Sequence, residues 1–287
     1  MRFQALTWQY VDKFPKRYCS STDSDWQSRW NESTSNLHIC GRDDKGGAVH
    51  VCVIDHYPVF FVRASESTFQ SAVEKAQNFN KPWEPWWVHD VSAVQKAIFQ
   101  GFRGGVKDMV LRVVAANRGV SIAMTRALHQ KGIETFDTCI DPVTAFYHST
   151  GIRPCGWIEI NEFCTSEPNG YVASRCENDF LCRTSGLLAI ECNDVANFLF
   201  ASLDIEAVSV PDNDGRYSFP DGDNPGNPAS CVCIKLRRIH DDESELHGFA
   251  FRDVDLDYIG EHCPDMHVHA SKDEDSMWRT LVAWLTV

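Results

Sequence analysis

FLFASLDIEAVSV, residues 198–210, sets Asp204 and Glu206 inside an otherwise apolar run. A carboxylate buried without a partner is costly, so two of them in what reads as a core strand demand a reason. On a strand, alternate residues share a face. Ser202, Asp204 and Glu206 therefore point one way, and Leu199, Ala201, Leu203, Ile205 and Ala207 point the other. The two acids stand side by side, about 7 Å apart at the root. At that spacing they repel unless a cation lies between them, and oxygen-only ligands suit Mg²⁺ or Mn²⁺ better than zinc. Such a pair fits phosphodiester hydrolysis by two metal ions. A lone Asp-x-Glu is common by chance, and the apolar strand around this one is what gives it weight.

The rest of the chain bounds that reading. At 287 residues and 43% hydrophobic content it can bury a sizeable core, and its length favours two domains. Its first residues, MRFQALTWQYVDKF, lack the apolar stretch of a secretory signal. LLAIECNDVANFLFASL is broken by Glu191 and Asp194, so no membrane span is expected and the setting reads as intracellular. Twelve cysteines are scattered with no C-x-x-C pair, which reads as reduced core residues. HCPDMHVH, with His262, Cys263, His267 and His269, is the nearest approach to a soft-metal motif, but it lacks a matched second half and reads as a surface loop.

The net charge of −13 argues against a broad electrostatic grip on nucleic acid. Ten of those negative charges fall in residues 241–275, where twelve acids face only Arg252 and Lys272. The remainder is close to neutral. It includes Arg118, Arg126 and Lys131 along one expected helix, which could meet template phosphates, although a charged helix face is ordinarily just solvated.

Residues 3–12 and 48–63 read as strands, with DDKGG (residues 43–47) as the turn before the second run. Residues 68–79 and 118–132 read as helices. In the second helix Ile122, Met124, Ala127 and Leu128 are expected to face inward, and Gly132 to stop it. GLLAIEC, FLFASLDIEA and CVCIKL read as strands separated by polar loops. SKDEDSMWRTLVAWLTV reads as a helix with Ser271 as N-cap and Glu274 completing a capping box. The fold class expected is α+β, mixed. A domain of antiparallel strands with helices, residues 1–190, precedes a second sheet in residues 191–287.

Three stretches in order resemble the amino-terminal part of a family B DNA polymerase of the delta-like type found in eukaryotes and large DNA viruses. FQALTWQYVD with LHICGRDDKGGAVHVCVIDHYPVFFVR looks like that family's opening. RALHQKGIETFDTCIDPVTAFYHSTGIRPCGWIEI is similar to its middle signature. ASLDIEAVSVPDNDGRYSFPDGDNPGNPASCVCIKL resembles its first exonuclease motif, with Leu203 where an aromatic is usual. The resemblance runs over about residues 3 to 287. It implies a family B N-terminal domain followed by the first strands of a ribonuclease-H-like 3′→5′ exonuclease domain. It also makes Asp204 and Glu206 the first-motif catalytic metal ligands, Asp204 bridging two Mg²⁺ or Mn²⁺ ions and Glu206 binding one.

The further motifs of such enzymes, Asn-x-x-x-Phe-Asp, Tyr-x-x-x-Asp and the polymerase aspartates, are not found. The two-metal site is therefore expected to be incomplete in this chain, which reads as an N-terminal fragment of a polymerase, inactive alone. The partners implied are DNA, as single-stranded template and primer 3′ end, and accessory subunits or a sliding clamp, in the nucleus or at a viral replication site. Two other readings stay open. One is a stand-alone metal-dependent nuclease, for which Asp253, Asp255 and Asp257 would supply the missing acid. The other is a non-enzymatic nucleic-acid-binding module.

Overall fold

The computed structural model describes residues 1–13, 25–77, 88–97, 105–164, 174–209, 211, 214–217, 219–223, 226–251, 259, 261–286. Asp253, Asp255 and Asp257 lie outside them. The chain divides into two compact units, Met1–Ala196 and Asn197–Val287, and the fold class is α+β with mixed sheets.

The first unit runs β1 (Arg2–Asp12), α1 (Asp25–Glu32), β2 (Ser35–Asp43), β3 (Ala48–Val53), β4 (Val59–Val62), α2 (Glu66–Gln77), β5 (Val88–Ala97), β6 (Lys107–Ala115) and α3 (Arg118–His129). It continues through β7 (Thr135–Phe136), α4 (Pro142–Thr150), β8 (Trp157–Ile160), β9 (Phe163–Cys164), β10 (Asn178–Cys182) and β11 (Leu187–Ile190). One sheet has the order β11-β8-β1-β2-β3-β10-β9, the other β5-β6-β4-β7.

The strands of the large sheet alternate as their sequences demand. Phe3, Ala5, Leu37, Ile39, Val49, Val51, Val53, Ile158 and Ile160 are buried on one face with Phe146 of α4. The DDKGG turn closes through Asp43, whose Oδ1 accepts from the backbone N–H of Lys45 (2.9 Å) and of Gly47 (2.7 Å), with Gly46 at φ +86°. On the opposite face, Trp30 of α1 packs with Cys52, Ile54 and Leu181. A polar chain runs beside them. The Asp179 carboxylate accepts from Nδ1 of His50 (2.9 Å), which leaves Nε2 of His50 to accept from Nδ1 of His38 (3.0 Å).

In the second sheet, Val120, Met124 and Leu128 of α3 pack on Phe60, Val62, Leu111 and Val113. Asn117 caps α3 by accepting from Val120 N–H (2.9 Å), and Gly132, at φ +68°, turns the chain out of the helix. Ile122 is exposed rather than inward. The buried positions 120, 121, 124, 125 and 128 already fill the stripe that faces the sheet, and residue 122 falls outside it.

The second unit is a four-stranded sheet, β12 (Leu199–Ala207), β13 (Ala229–Arg238), β14 (Ser244–Phe251) and β15 (Met266–Ser271), in that order, with helix α5 (Glu274–Leu285) after it. The pairings β12/β13 and β13/β14 are antiparallel and β14/β15 is parallel. Met277 and Leu281 of α5 are buried with Val232, Ile234 and Phe249, and the helix lies against β14 and β15.

Two expectations are corrected in this unit. Ser271 does not cap α5, because it is still paired to Phe251 in the β14/β15 ladder. The N-cap is Asp273, whose carboxylate accepts from Ser276 N–H (2.8 Å) while Ser276 Oγ receives the Asp273 N–H (3.2 Å). His267 and His269 do not sit on a loop. They are strand residues of β15, stacked with His247 of β14, and Nδ1 of His247 lies 3.3 Å from Nε2 of His269. The cysteines also differ from expectation. Those described form no disulfide, but only Cys52 and Cys182 among them are buried.

Candidate functional site

Asp204 and Glu206 lie on β12, two residues apart and therefore on one face of the strand. Their strand is not a core strand. Every residue from Leu199 to Glu206 is exposed, with Leu203 at 55% and Ile205 at 46%. The cause is positional. Strand β12 is the edge of its sheet, and none of its residues belongs to the buried cluster that α5 forms with β13 and β14. The apolar side of β12 continues the side of β13 that carries Val232 and Ile234, but no described element covers it. The acids thus face water, and the desolvation cost that made them conspicuous in the sequence is not incurred.

The hairpin partner decides what surrounds the acids. In the β12/β13 register, Asp204 stands opposite Cys233 and Glu206 opposite Cys231, while Ser202 faces Lys235 and Phe200 faces Arg237. Directly opposed residues of an antiparallel pair have Cβ atoms about 5 Å apart. One face of the hairpin therefore carries two acids beside two thiols at one end and two cations beside a serine and a phenylalanine at the other. Burial pushes the Cys233 thiol up, and the adjacent Cys231 and the Asp204 carboxylate push it the same way. Phe200, Ser202, Lys235, Arg237 and Ile239 line a cleft of about 530 Å³.

The donor chemistry of the acid pair fits a hard divalent ion. The donor count is short: among the described residues no three His, Cys, Asp or Glu side chains are gathered to hold a metal. The three stacked histidines of β14 and β15 fall under the same statement. No described lysine or arginine forms an ion pair with Asp204 or Glu206, so neither carboxylate is tied up as half of a salt bridge.

The other residues singled out in the sequence lie on or just after α3, in the first unit. Arg118, Arg126 and Lys131 are all exposed. The N-terminus of that helix is already occupied, because the Asp12 carboxylate accepts from the backbone N–H groups of Arg118 and Gly119 (2.9 Å each). The Arg118 guanidinium lies 3.8 Å from Asp141. Two strand aromatics are structural: Phe60 is fully buried, and Trp157 is buried with its indole N–H donated to the Asp194 carbonyl (2.7 Å). Lys235, Arg237 and Phe200 were not found from sequence. The period-two run Cys231, Cys233, Lys235, Arg237 was there to read, but its register against Asp204 depends on a long connection that sequence does not measure.

Residues 133–277 match the family described as DNA polymerase family B, exonuclease domain. The chain is 26% identical over 232 residues to a DNA polymerase of Pyramimonas orientalis virus, covering 76% of this chain and 18% of that protein. It is 25% identical over 284 residues to the DNA polymerase catalytic subunit of Murid herpesvirus 1 (strain Smith), covering 92% of this chain and 25% of that protein. The structure of the family B DNA polymerase from the hyperthermophilic archaeon Pyrobaculum calidifontis shares the fold with a TM-score of 0.58 at 17% identity, over 94% of this chain and 30% of that one. The chain thus spans a quarter or less of the length of the curated relatives it matches.

Proposed function

Because the chain belongs to the exonuclease-domain family of the family B DNA polymerases, we propose that Asp204 and Glu206 are carboxylates of a 3′→5′ proofreading site. The observation that carries the proposal is their placement: side by side on one exposed face of β12, with no described cation paired to either. The bound Mg²⁺ or Mn²⁺ would supply a water nucleophile at neutral pH and stabilise the leaving oxygen. The chain's own part is to hold that charge. Asp204 and Glu206 would both offer carboxylate oxygens to it, on a strand fixed by its ladder to β13.

The first unit is then the family's N-terminal domain and the second the opening of a ribonuclease-H-like exonuclease domain. In the whole polymerase the activity is template-directed synthesis with proofreading. Its partners are single-stranded template, primer end and accessory subunits or a clamp, in the nucleus or at a viral replication site. Arg126 and Lys131 are the template-facing cations we propose on the first unit, with Arg118 shared with Asp141. Among the described residues no helix is long and apolar enough to cross a membrane.

The test is Mn²⁺ binding followed by electron paramagnetic resonance on the 287-residue chain. Two carboxylates hold such an ion weakly, so a dissociation constant near the millimolar range is expected, lost in Asp204→Ala/Glu206→Ala. The same chain is expected to leave 3′-labelled single-stranded DNA intact in Mg²⁺. Unchanged Mn²⁺ binding in the double variant would overturn the assignment. Shortening of the DNA that the double variant abolishes would put a stand-alone nuclease first.

A further inference from the structure

The large sheet of the first unit carries a cluster of reactive side chains that the exonuclease reading leaves unused. Leu37 and Ile39 of β2 point into the core, so His38 and Cys40 point to the other face. The registers extend that row: Cys40 stands opposite His50 in the β2/β3 ladder, and His50 opposite Asp179 in the β3/β10 ladder. At one strand spacing per step, the backbone of Asp179 lies about 10 Å from β2. The lead-in to β10 closes that gap. The Asp179 carboxylate uses its second oxygen to accept from the backbone N–H of Ser174 (2.5 Å), and Ser174 Oγ accepts from the N–H of Cys176 (3.0 Å). These two bonds turn residues 174–176 back over the face instead of letting them continue the strand. The turn brings a second sulfur to β2, where the half-buried thiols of Cys176 and Cys40 hydrogen-bond to each other. Cys52, two residues along β3 from His50, is fully buried, and burial holds its thiol far above the usual range, so it takes no part.

We propose that Cys40 and Cys176 are a reversible redox pair, which a low-molecular-weight disulfide oxidises to an intramolecular disulfide that staples β2 to the lead-in of β10. The chemistry is two thiol–disulfide exchanges. The Cys176 thiolate attacks one sulfur of the small disulfide, whose S–S bond breaks; a mixed disulfide forms at Cys176 and one small thiol leaves. The Cys40 thiolate then attacks the Cys176 sulfur and expels the second small thiol. Two electrons pass from the protein to the small disulfide, and the two protein S–H protons go to the departing thiolates. The order follows from the surroundings. Burial, then Cys176, then Asp179 push the Cys40 thiol up, so Cys40 is the slower attacker. Once Cys176 carries the mixed disulfide, its charge no longer opposes the ionisation of Cys40. Joining the sulfurs draws them to about 2.05 Å. That movement falls on the 174–176 turn, held by two side-chain bonds, rather than on β2, which has a strand on each side.

The experiment equilibrates the 287-residue chain in glutathione buffers of stepped reduced-to-oxidised ratio, traps free thiols by alkylation, and maps peptides by mass after digestion without reductant. A peptide pair joined through Cys40 and Cys176 is expected, lighter than the two thiol peptides by two hydrogens. It should persist at ratios about tenfold or more above the one at which exposed Cys139 loses its mixed disulfide, because the second thiol is already at hand. With the linkage formed, the unfolding midpoint should rise, since the cross-link constrains the unfolded chain over a long loop, and added reductant should return it. Cys40→Ser and Cys176→Ser should each show neither the linkage nor the shift, and Cys139→Ser, the control, should show both. Recovery of Cys40 and Cys176 only as free thiols or mixed disulfides, at ratios no higher than for Cys139, would overturn the pair. Linkage of either to another cysteine in preference would overturn it too, and a linked chain with an unchanged midpoint would overturn the staple. The mapping is made on the unmodified chain, so it does not depend on any variant folding, and its outcome leaves Asp204 and Glu206 to be judged by Mn²⁺ binding.

Discussion

Strands β2 and β3 of the first unit and strand β12 of the second are all rich in apolar residues, yet they do opposite work. In β2 and β3, Leu37, Ile39, Val49, Val51 and Val53 are fully buried. In β12, Leu199, Leu203 and Ile205 are each more than two-fifths exposed. The difference lies in neighbours, since β2 and β3 have strands on both edges and β12 has one. A hydrophobic sequence therefore marks a strand that is able to be buried, and the tertiary arrangement decides whether it is. The acids sit on a strand with no buried side chain.

That contrast can be broken first by truncation. Phe3→Ala, which empties a fully buried position beside β2, should cost about 3–5 kcal/mol by denaturant unfolding of the chain. Leu203→Ala, with the same kind of side chain shortened on the exposed strand, should cost less than about 1 kcal/mol. Equal losses would mean that β12 is covered after all.

The second difference is in pH response. Burial, then the neighbouring His50, lowers His38 from 6.5 to about 4, with Asp179 acting the other way. The unfolded chain takes up a proton on this ring below 6.5 and the folded chain does so only near 4. The neutral ring's contribution is complete above about pH 6.5 and is lost as pH falls toward 4. Allowing for the partial exposure of the ring, the loss should be about 2 kcal/mol. Burial lowers His56 and His89 in the same direction. Unfolding measured between pH 7 and 4 should show this slope, and His38→Gln should flatten it; an unaltered slope in that variant would contradict the assignment.

A smaller effect sharpens the picture of the second unit. Asp273→Ala removes the α5 cap and should lower the unfolding midpoint, whereas Ser271→Ala should leave it nearly unchanged, reversing the order that a capping box at Ser271 would give. Smallest of all, Arg118→Glu/Arg126→Glu should weaken oligonucleotide binding only a few-fold, because Arg118 is already shared with Asp141 and the α3 N-terminus already holds Asp12. A loss of about tenfold or more would make the α3 region a principal DNA contact of the chain.

What sequence could reveal follows the same division. Local signals were legible: the period-two run around Asp204, the Asp43 turn, and Gly132 as the end of a helix all depend on residues within a few positions of one another. Long-range pairing was not. The opposition of Lys235 to Ser202, the exposure of Ile205 and the strand placement of His267 and His269 each depend on which segment lies alongside, and a two-residue repeat carries no record of its partner. The helix cap was misread for a related reason. Ser271 and Glu274 have the right spacing, but pairing of Ser271 with Phe251 keeps the chain extended past it.

The central claim is that the exposed pair Asp204 and Glu206 is where a divalent ion meets this chain. Backbone amide spectra of the isotopically labelled protein, recorded while Mn²⁺ is added in small steps, test it most directly, because the paramagnetic ion broadens only the signals of residues close to it. The account predicts that broadening begins in β12 and β13 around Asp204, Glu206, Cys231 and Cys233, and disappears from them in Asp204→Ala/Glu206→Ala. Broadening that begins instead at the stacked His247, His267 and His269, or that is the same in the double variant, would contradict it.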